Sequence, residues 1–327
     1  MHTGLGDDRY GYPGKFSLFR CSFCGLIETY PKLLTSQLGA IYSSYYPRGD
    51  LDVECLPAQA TNLRSVQGKL KAWLTGTDNQ GQYTARRGMR VLDYGCGAGV
   101  ALMELEKIGA EAYGIEVDEN SRRVASRYGL RIHTGSLEDN PFPGVTFDLI
   151  CLNQVIEHIP DPADLLSKLE SRLASRGVLA LSFPNTDSIY RRMCGRRWIN
   201  WHVPYHLHHF SLRSFTRFCD QHGWHVVQHR TITPTVWTIL QLRTAFTPET
   251  ASTDDSIWQS SSSSATSTSD FTHWPGARQA LRLLKRGAML VAMAGLTLVN
   301  RVVDAVGMGD SLLVVIRPNE PRQASAK

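Results

Sequence analysis

Apolar runs and amphipathic segments alternate along residues 86–232. The run at 89–95 is apolar and β-branched and stops at glycines, as buried strands do. The segment at 100–110 instead places its apolar residues at helical spacing and ends at a glycine. This alternation predicts an α/β fold, an open and mostly parallel sheet with helices on both faces. The predicted strands are 89–95, 111–118, 131–136, 147–154 and 177–185, and the predicted helices are 100–110, 119–128 and 161–175.

The pattern changes after residue 245. Residues 246–273 are rich in serine and threonine, and a segment with so little to bury predicts a disordered insertion. Residues 276–318 resume an ordered pattern, with a long helical stretch at 277–306 and an apolar strand at 310–318. We expect that strand to return to the sheet of the core.

Residues 1–85 form an N-terminal extension, in which the pattern predicts helices near 34–45 and 60–75. Cys21 and Cys24 form a CxxC pair within it. A structural zinc site usually needs two such pairs, and the sequence contains no second one.

Composition narrows the function only slightly. Of 327 residues, 42% are hydrophobic and 20% charged, and the net charge is +5. This mild excess permits an anionic substrate or membrane surface, but no basic run with interleaved aromatics points to nucleic acid. Seven cysteines, an odd number, suggest no disulfide framework. The start of the chain lacks the pattern of a signal peptide, so we expect a cytoplasmic location.

A glycine loop follows the first predicted strand of the core, in VLDYGCGAGV at 91–100. Its glycines let the backbone approach a ligand where a Cβ would collide. Glu116 ends the next strand about 20 residues later, where a carboxylate can accept hydrogen bonds from ribose hydroxyls. Asp93 precedes the loop, and its charge suits a cationic ligand better than a phosphate. S-adenosylmethionine carries an ammonium and a sulfonium but no phosphate, so the loop favours this nucleotide.

These stretches resemble class I S-adenosylmethionine-dependent methyltransferases. VLDYGCGAG resembles the family's first motif, GIEVD its ribose-binding segment, FDLICLNQVIEHIPDP the region of its fourth strand, and GVLALSFPN its fifth strand. The subgroup includes ubiquinone-biosynthesis O-methyltransferases and sugar-cluster methyltransferases. The resemblance covers residues 86–232 and the last strand. It implies a Rossmann-like, mostly parallel seven-stranded sheet with a helical insertion before the final strand.

The resemblance also implies a set of cofactor contacts at the ends of the predicted strands: Asp93, Gly95, Gly97, Glu116, Ser136, Leu137, Asn153 and Gln154. The first three would hold the methionine end and Glu116 the ribose. Ser136 and Leu137 would border the adenine, and the last two would lie near the methyl-bearing sulfur. Many relatives place an acidic residue where Ser136 stands, so this adenine contact departs from the family pattern.

Histidines are concentrated in WHVPYHLHHFS at 201–211, and His158 follows the fourth strand of the core. Methyl transfer to a hydroxyl or carbon acid requires removal of a proton, usually by histidine. His206 and His158 are the candidate bases; the alternative is that the histidines bond to backbone groups and only shape the pocket. Pro204 interrupts the i,i+4 pair of His202 and His206, and no H-E-x-x-H motif follows, so we expect no metal.

Other residues near the histidines allow two interpretations. The aromatic ones are Trp198, Trp201, Tyr205 and Phe210, and the basic ones are Arg191, Arg192, Arg196 and Arg197. They form either a hydrophobic lid with a solvated basic rim or a surface for a ring-bearing or lipid-like acceptor with an anionic group.

The CxxC pair resembles the second half of the zinc-binding module of sugar C-methyltransferases, whose first half is missing here.

The sequence therefore predicts an enzyme that transfers a methyl group from S-adenosylmethionine to a small-molecule acceptor, with O-methylation favoured over C-methylation. Saccharide, glycolipid or quinone-like acceptors, in phosphorylated or lipid-linked form, fit the resemblance. A non-catalytic cofactor-binding scaffold or regulator is the alternative. The helical stretch at 277–306 either packs in a core or dimer interface or lies on a membrane surface as a peripheral contact. The oligomeric state is left open.

Overall fold

The computed structural model describes residues 1–33, 37–38, 41, 44–45, 53–246 and 291–319. Most of the predicted helix near 34–45, nearly all of the predicted disordered insertion at 246–273 and the first half of the predicted helix at 277–306 lie outside the described residues.

The larger of two sheets forms the core and, within the described residues, contains seven strands. They are β4 (Arg90–Tyr94), β5 (Glu111–Glu116), β6 (Ile132–Thr134), β7 (Phe147–Asn153), β8 (Leu173–Pro184), β10 (Trp224–Ile232) and β11 (Ser311–Pro318). Their spatial order is β10-β11-β8-β7-β4-β5-β6. The neighbouring strands β8, β7, β4, β5 and β6 pair in parallel. In contrast, β11 pairs antiparallel with both β8 and β10. The predicted mostly parallel sheet, including the return of the last strand, is confirmed.

A smaller antiparallel sheet joins the N-terminus to the histidine-rich segment. Its strands, in spatial order, are β1 (His2–Leu5), β2 (Phe16–Arg20), β3 (Ile27–Tyr30) and β9 (His208–His209). The hydrophobic pattern does not predict the first three. They are short, and buried apolar residues such as Phe16 and Leu18 pack against Trp198 and Trp201, which lie far away in sequence.

The helices cover both faces of the larger sheet. They are α1 (Leu56–Gln59), α2 (Val66–Thr75), α3 (Val100–Lys107), α4 (Asn120–Tyr128), α5 (Pro162–Glu170), α6 (Ile189–Cys194), α7 (Leu212–Gln221), α8 (Thr235–Phe246) and α9 (291–305). Local sequence sets several of their ends. The side chain of Asp161 accepts hydrogen bonds from the first backbone amides of α5, and Gly76 ends α2 in the left-handed conformation.

Alternate residues of β7 point to opposite faces of the sheet and enter two different cores. Ile150 and Leu152 pack with Phe183 and Phe215 on one face. Leu149 and Cys151 belong to the cluster on the other face, which includes residues of α1 and α3. A strand buried on both faces reads as a nearly continuous apolar run, and this explains why the pattern located β7 correctly.

Ile316 lies on β11 between two paired strands and is fully buried. We expect Ile316→Ala to lower the free energy of unfolding by about 2–5 kcal/mol, because the cavity left between strands cannot collapse completely. Val227→Ala, at a position on β10 that is 45% exposed, is the matched control and should change it by less than about 0.5 kcal/mol. Urea unfolding followed by circular dichroism measures both, and equal losses would contradict a central position for β11.

Candidate functional site

The parallel strands end at one edge of the sheet and bring the predicted cofactor residues together there. Asp93 lies in β4, Asn153 ends the adjacent β7, and Glu116 ends β5. The loops that follow β4, β6 and β7 supply the remaining predicted residues: Gly95, Gly97, Ser136, Leu137 and Gln154. Ligands of open α/β sheets bind at this carboxyl edge.

The glycine loop requires its glycines for two different reasons. Gly95 has a φ of +77°, and a Cβ there would lie 2.6 Å from Cγ2 of Val155. Gly97 has a φ of +51°, and a Cβ there would meet no atom within 4 Å. Gly95 therefore lets the loop pack against the segment after β7, while Gly97 faces open space in which a ligand can approach the backbone.

The carboxylate of Glu116 fastens the glycine loop to the end of β5. Its Oε2 accepts a hydrogen bond of 2.8 Å from the Gly97 amide, and its Oε1 accepts bonds of 2.8 and 3.0 Å from the amides of Val117 and Asp118. A carboxylate has about four acceptor positions, so one remains for a hydroxyl donor. The side chain is half-buried at the edge of the sheet.

Asp93 is buried next to Asn153, whose Nδ2 donates a 3.2 Å hydrogen bond to its carboxyl. Burial raises the pKa of Asp93 to about 7, and the charges of Glu116 and Glu104 act in the same direction. A buried carboxyl held by a neutral amide is stabilised as an anion when a cation binds beside it. The residues at this edge thus fit the ammonium group and ribose of the predicted nucleotide.

A segment of the N-terminal extension completes this edge. The Gly81 amide donates a 2.6 Å hydrogen bond to Oδ1 of Asn153, and Nδ2 of Asn153 donates to Oε1 of Gln82 at 3.1 Å. Gln82 in turn donates to the buried carboxylate of Glu104 at 3.0 Å. Sequence reasoning missed these contacts, because Gly81 and Gln82 stand in a stretch whose composition indicates only a turn.

The loop after β6 is fixed by a reciprocal cap. The backbone amide of Ser136 donates a 2.7 Å hydrogen bond to Asp139, whose own backbone amide donates to the Ser136 hydroxyl. Leu137 is buried within this turn, and the Gly135 amide donates to the carbonyl of Glu116. Ser136 and Leu137 therefore lie beside the end of β5, where the resemblance expects an adenine.

Two of the predicted histidines meet behind the end of β7. His158 lies in the turn Ile156–His158, and the ring centroid of His206 is 4.7 Å away, edge-on. Nδ1 of His158 donates to the carbonyl of Tyr205 at 3.0 Å, and Nδ1 of His206 donates to that of Asn200 at 2.9 Å. These bonds make Nε2 the proton-accepting nitrogen of each neutral ring.

Glu157 lies next to these two histidines. It was not among the predicted site residues, although it directly precedes His158 in the sequence. Both of its carboxyl oxygens are buried without a hydrogen-bond partner in the described chain. One ligand atom each from Glu157, His158 and His206 can be chosen so that all three lie within 4.8 Å of one another. Such a set could pass a proton or hold a divalent metal ion. We refer to these residues as the Glu-His-His cluster.

Burial keeps the cluster uncharged. It raises the pKa of Glu157 to about 8 and lowers the pKa of His158 to about 4. The pKa of His206 is likewise lowered well below its ordinary value, first by burial and then by the neighbouring histidines. At neutral pH the carboxyl therefore carries its proton and both imidazoles are neutral.

The other histidines of the segment 201–211 make contacts that shape it. His202 stacks on Tyr205 with ring centroids 4.7 Å apart, and Tyr10 meets both rings edge-on. Nε2 of His209 lies 3.1 Å from the hydroxyl of Thr29, and His208 pairs with β3 through β9. No local pattern marked Tyr10, since its partners lie about two hundred residues away in sequence.

The aromatic residues around the histidines are core residues, which favours the lid interpretation over an open acceptor surface. Each is at most 2% exposed: Trp198, Trp201, Tyr205 and Phe210. Two of the arginines bond to backbone carbonyls, with Arg196 donating to Gly4 at 3.2 Å and Arg197 to Ala245 at 3.4 Å. Among the described residues, no group of three potential metal ligands includes Cys21 or Cys24.

Comparisons with known proteins identify the kind of domain to which this sheet belongs. A family model described as a methyltransferase domain matches residues 68–229. The ubiquinone biosynthesis O-methyltransferase of Albidiferax ferrireducens is 32% identical over 88 residues, which cover 24% of this chain and 34% of that protein. The protein of the same name from Cereibacter sphaeroides is 29% identical over 133 residues, 38% of this chain and 54% of its own. The chain thus spans about a third to a half of these curated relatives.

A solved structure of coclaurine N-methyltransferase bound to N-methylheliamine and SAH is similar over 88% of this chain and 84% of its own. Its sequence identity to this chain is 13% and the TM-score is 0.47.

The raised pKa of Glu157 should make stability depend on pH. The folded protein keeps a proton on this carboxyl up to about pH 8, whereas an unfolded glutamate releases it near its ordinary pKa of 4.5. The stabilisation is therefore complete below pH 4.5 and is lost as pH rises through 8. We expect the melting temperature of the wild type to fall relative to that of Glu157→Gln between about pH 5 and about pH 9.

Thermal unfolding followed by circular dichroism across this range measures the difference. Glu111→Gln, which changes an exposed glutamate at the start of β5, is the control and should follow the wild type. Parallel curves for the wild type and Glu157→Gln would contradict a buried, protonated Glu157.

Proposed function

The chain belongs to the class I S-adenosylmethionine-dependent methyltransferases, and from this we propose that it methylates an oxygen of a small-molecule acceptor. The cofactor, when bound, supplies an electrophilic methyl group on a sulfonium. A hydroxyl acceptor must also lose a proton, which requires a base at the site. The observation that carries the proposal is the Glu-His-His cluster, which follows the end of β7 directly and presents two neutral imidazoles.

In this proposal the carboxyl edge of the sheet holds the cofactor. Asp93 pairs with the ammonium group, Glu116 accepts from the ribose, and the open backbone at Gly97 allows close approach. Ser136 and Leu137 border the adenine, while Asn153 and Gln154 lie next to the reacting centre. The side-chain amide of Gln154 donates to the hydroxyl of Ser182 at 3.2 Å, a contact that supports a fixed position for the residue.

His206 is the proposed base, with His158 beside it. Nε2 of His206 would accept the proton of the acceptor hydroxyl as its oxygen takes up the methyl group that the bound cofactor would supply. Its Nδ1 bond to Asn200 supports this role, because it orients the ring and stabilises a positive charge on it. A positive charge on His206 would lower the pKa of Glu157 in the same cluster, and loss of the carboxyl proton to water would then leave an ion pair that stabilises the imidazolium.

The proposed acceptor class rests on the relatives. Ubiquinone-biosynthesis O-methyltransferases are among the relatives, which favours a phenolic or quinol-like hydroxyl. Saccharide and glycolipid hydroxyls remain in the proposal, in phosphorylated or lipid-linked form. A non-catalytic scaffold would use the same cofactor contacts but would release no S-adenosylhomocysteine with any acceptor.

We also propose that different parts of the chain form different parts of the site. Residues 86–232 and the last strand bind the cofactor, while the extension 1–85 completes the cofactor edge near Asn153 and supports the histidine-rich segment on the acceptor side. Its contacts at Gly81 and Gln82 and the pairing of β3 with β9 support this division.

Glu116→Gln tests the ribose contact. An amide at this position would turn a donor group toward backbone amides that now donate to a carboxylate, so we expect affinity for S-adenosylmethionine to fall at least about tenfold. Isothermal titration calorimetry measures the dissociation constant. Glu111→Gln, at the opposite end of the same strand, is the matched control and should bind like the wild type. Equal affinities for all three proteins would refute the assignment.

His206→Ala tests the base. We expect unchanged S-adenosylmethionine affinity and a turnover at least about tenfold lower, since general bases typically contribute ~10²–10⁴-fold. Release of S-adenosylhomocysteine is measured with a catechol, a quinol and a sugar nucleotide as acceptors. His229→Ala, at an exposed position on β10, is the control. Undiminished turnover in His206→Ala would rule out the base, and no release by the wild type with any acceptor would favour the scaffold.

A further inference from the structure

Helix α9 lies on the protein with its polar side inward. Thr297 and Asn300 are at most 2% exposed, whereas Leu298, Val299 and Val302 are 59, 56 and 66% exposed. Surface helices of globular proteins show the opposite orientation, with their apolar stripe toward the core. The apolar side of α9 is therefore exposed on the described chain and available to a binding partner.

Hydrogen bonds and an ion pair hold α9 in this orientation. Thr297 donates to the carbonyl of Leu74 at 2.7 Å, and Asn300 exchanges two hydrogen bonds with the hydroxyl of Thr238. Arg301 pairs with Asp304 at 3.2 Å. Rotating the helix to bury its apolar side would break all of these contacts. The outward apolar side is thus a stable property of the fold.

Two other helices extend the exposed apolar surface. Thr235 of α8 and Thr297 of α9 both donate to the same carbonyl of α2, that of Leu74, so the three helices meet at one point. Their other apolar positions at least 39% exposed are Val66, Leu70, Trp73 and Leu74 of α2, and Val236 and Leu242 of α8. We call the exposed side of α2, α8 and α9 the three-helix face.

The charges of the three-helix face are of one sign. In the described residues of α2, α8 and α9, Asp304 is the one acidic side chain, and it is turned inward against Arg301. Lys69 and Lys71 are exposed on α2, and Arg243 is exposed on α8. An apolar surface with a basic border is complementary to anionic lipid.

We propose that the three-helix face docks the protein on the surface of an anionic membrane. No helix in the described part of the chain has the length and apolar character to cross a bilayer, so the contact is with one leaflet. A second copy of the chain is a poorer occupant, because a symmetric contact would bring the basic border against itself. The proposal does not depend on the methyl-transfer reaction.

Co-sedimentation of the full chain with vesicles tests the proposal. We expect binding to phosphatidylcholine–phosphatidylglycerol vesicles and much less to phosphatidylcholine alone. Leu298→Glu combined with Val302→Glu should reduce the bound fraction at least about tenfold, and so should Lys69→Glu combined with Lys71→Glu. The matched control is Val227→Glu, an exposed apolar position on β10 that should bind like the wild type.

Melting temperatures of the variants show whether each is folded, and the lysine pair keeps the test valid if the α9 pair is not. Equal vesicle binding by the wild type and the lysine pair would overturn the proposal. An absence of vesicle binding by the wild type would also overturn the proposal, since another part of the chain or a second copy would then be the occupant of the face. If a second copy covers the face, light scattering would detect a dimer that dissociates on substitution of α9.

Discussion

The hydrogen bonds of the Asn153 side chain are the interaction on which the site depends. A primary amide has both donors and an acceptor, so this one group contacts Asp93 on β4 and both Gly81 and Gln82 of the N-terminal extension. Parallel strands alone would bring Asp93 and Asn153 to the same edge. The amide also attaches the segment that contains Gly81 and Gln82, which contributes no strand to the larger sheet. Losing it would leave a buried carboxyl and a buried backbone amide without partners, which costs more than the bonds themselves contribute.

The cofactor edge and the Glu-His-His cluster differ in their charge. At the cofactor edge, Asp93 is a buried carboxyl that a cation would stabilise, and Glu116 is a half-buried carboxylate with one acceptor position left for a hydroxyl. In the Glu-His-His cluster, burial has already removed all charge, with the carboxyl protonated and the imidazoles neutral. A buried pair of opposite charges would have been costly to desolvate, whereas three neutral groups within 4.8 Å are tolerated and can still exchange a proton. The resting site is therefore compatible with an apolar acceptor side.

The parts of the molecule that local sequence determines were predictable, and those that depend on distant partners were not. The runs around Asp93, Glu116 and Asn153 are continuous and apolar because both faces of the sheet are covered, so the positions of these strands followed from them. Strands β1 to β3 escaped prediction because their buried residues pack on Trp198 and Trp201, far along the chain. Glu157 was overlooked because a carboxylate before a histidine is unremarkable until the fold shows that no donor reaches it. The outward apolar side of α9 also has no local signature, since helical spacing does not say which side meets the protein.

The pairing of β3 with β9 has a consequence for the order in which the protein can be made. Glu28 lies opposite His208, so the first partner emerges from the ribosome 180 residues before the second. At typical synthesis rates that delay lasts roughly 10–40 s, during which β3 presents an unpaired edge to other chains. The N-terminal sheet can close only after most of the core has been translated. The segment that carries His206 is thus among the last parts of the site to acquire its final shape, and a nascent chain is exposed to mispairing until then.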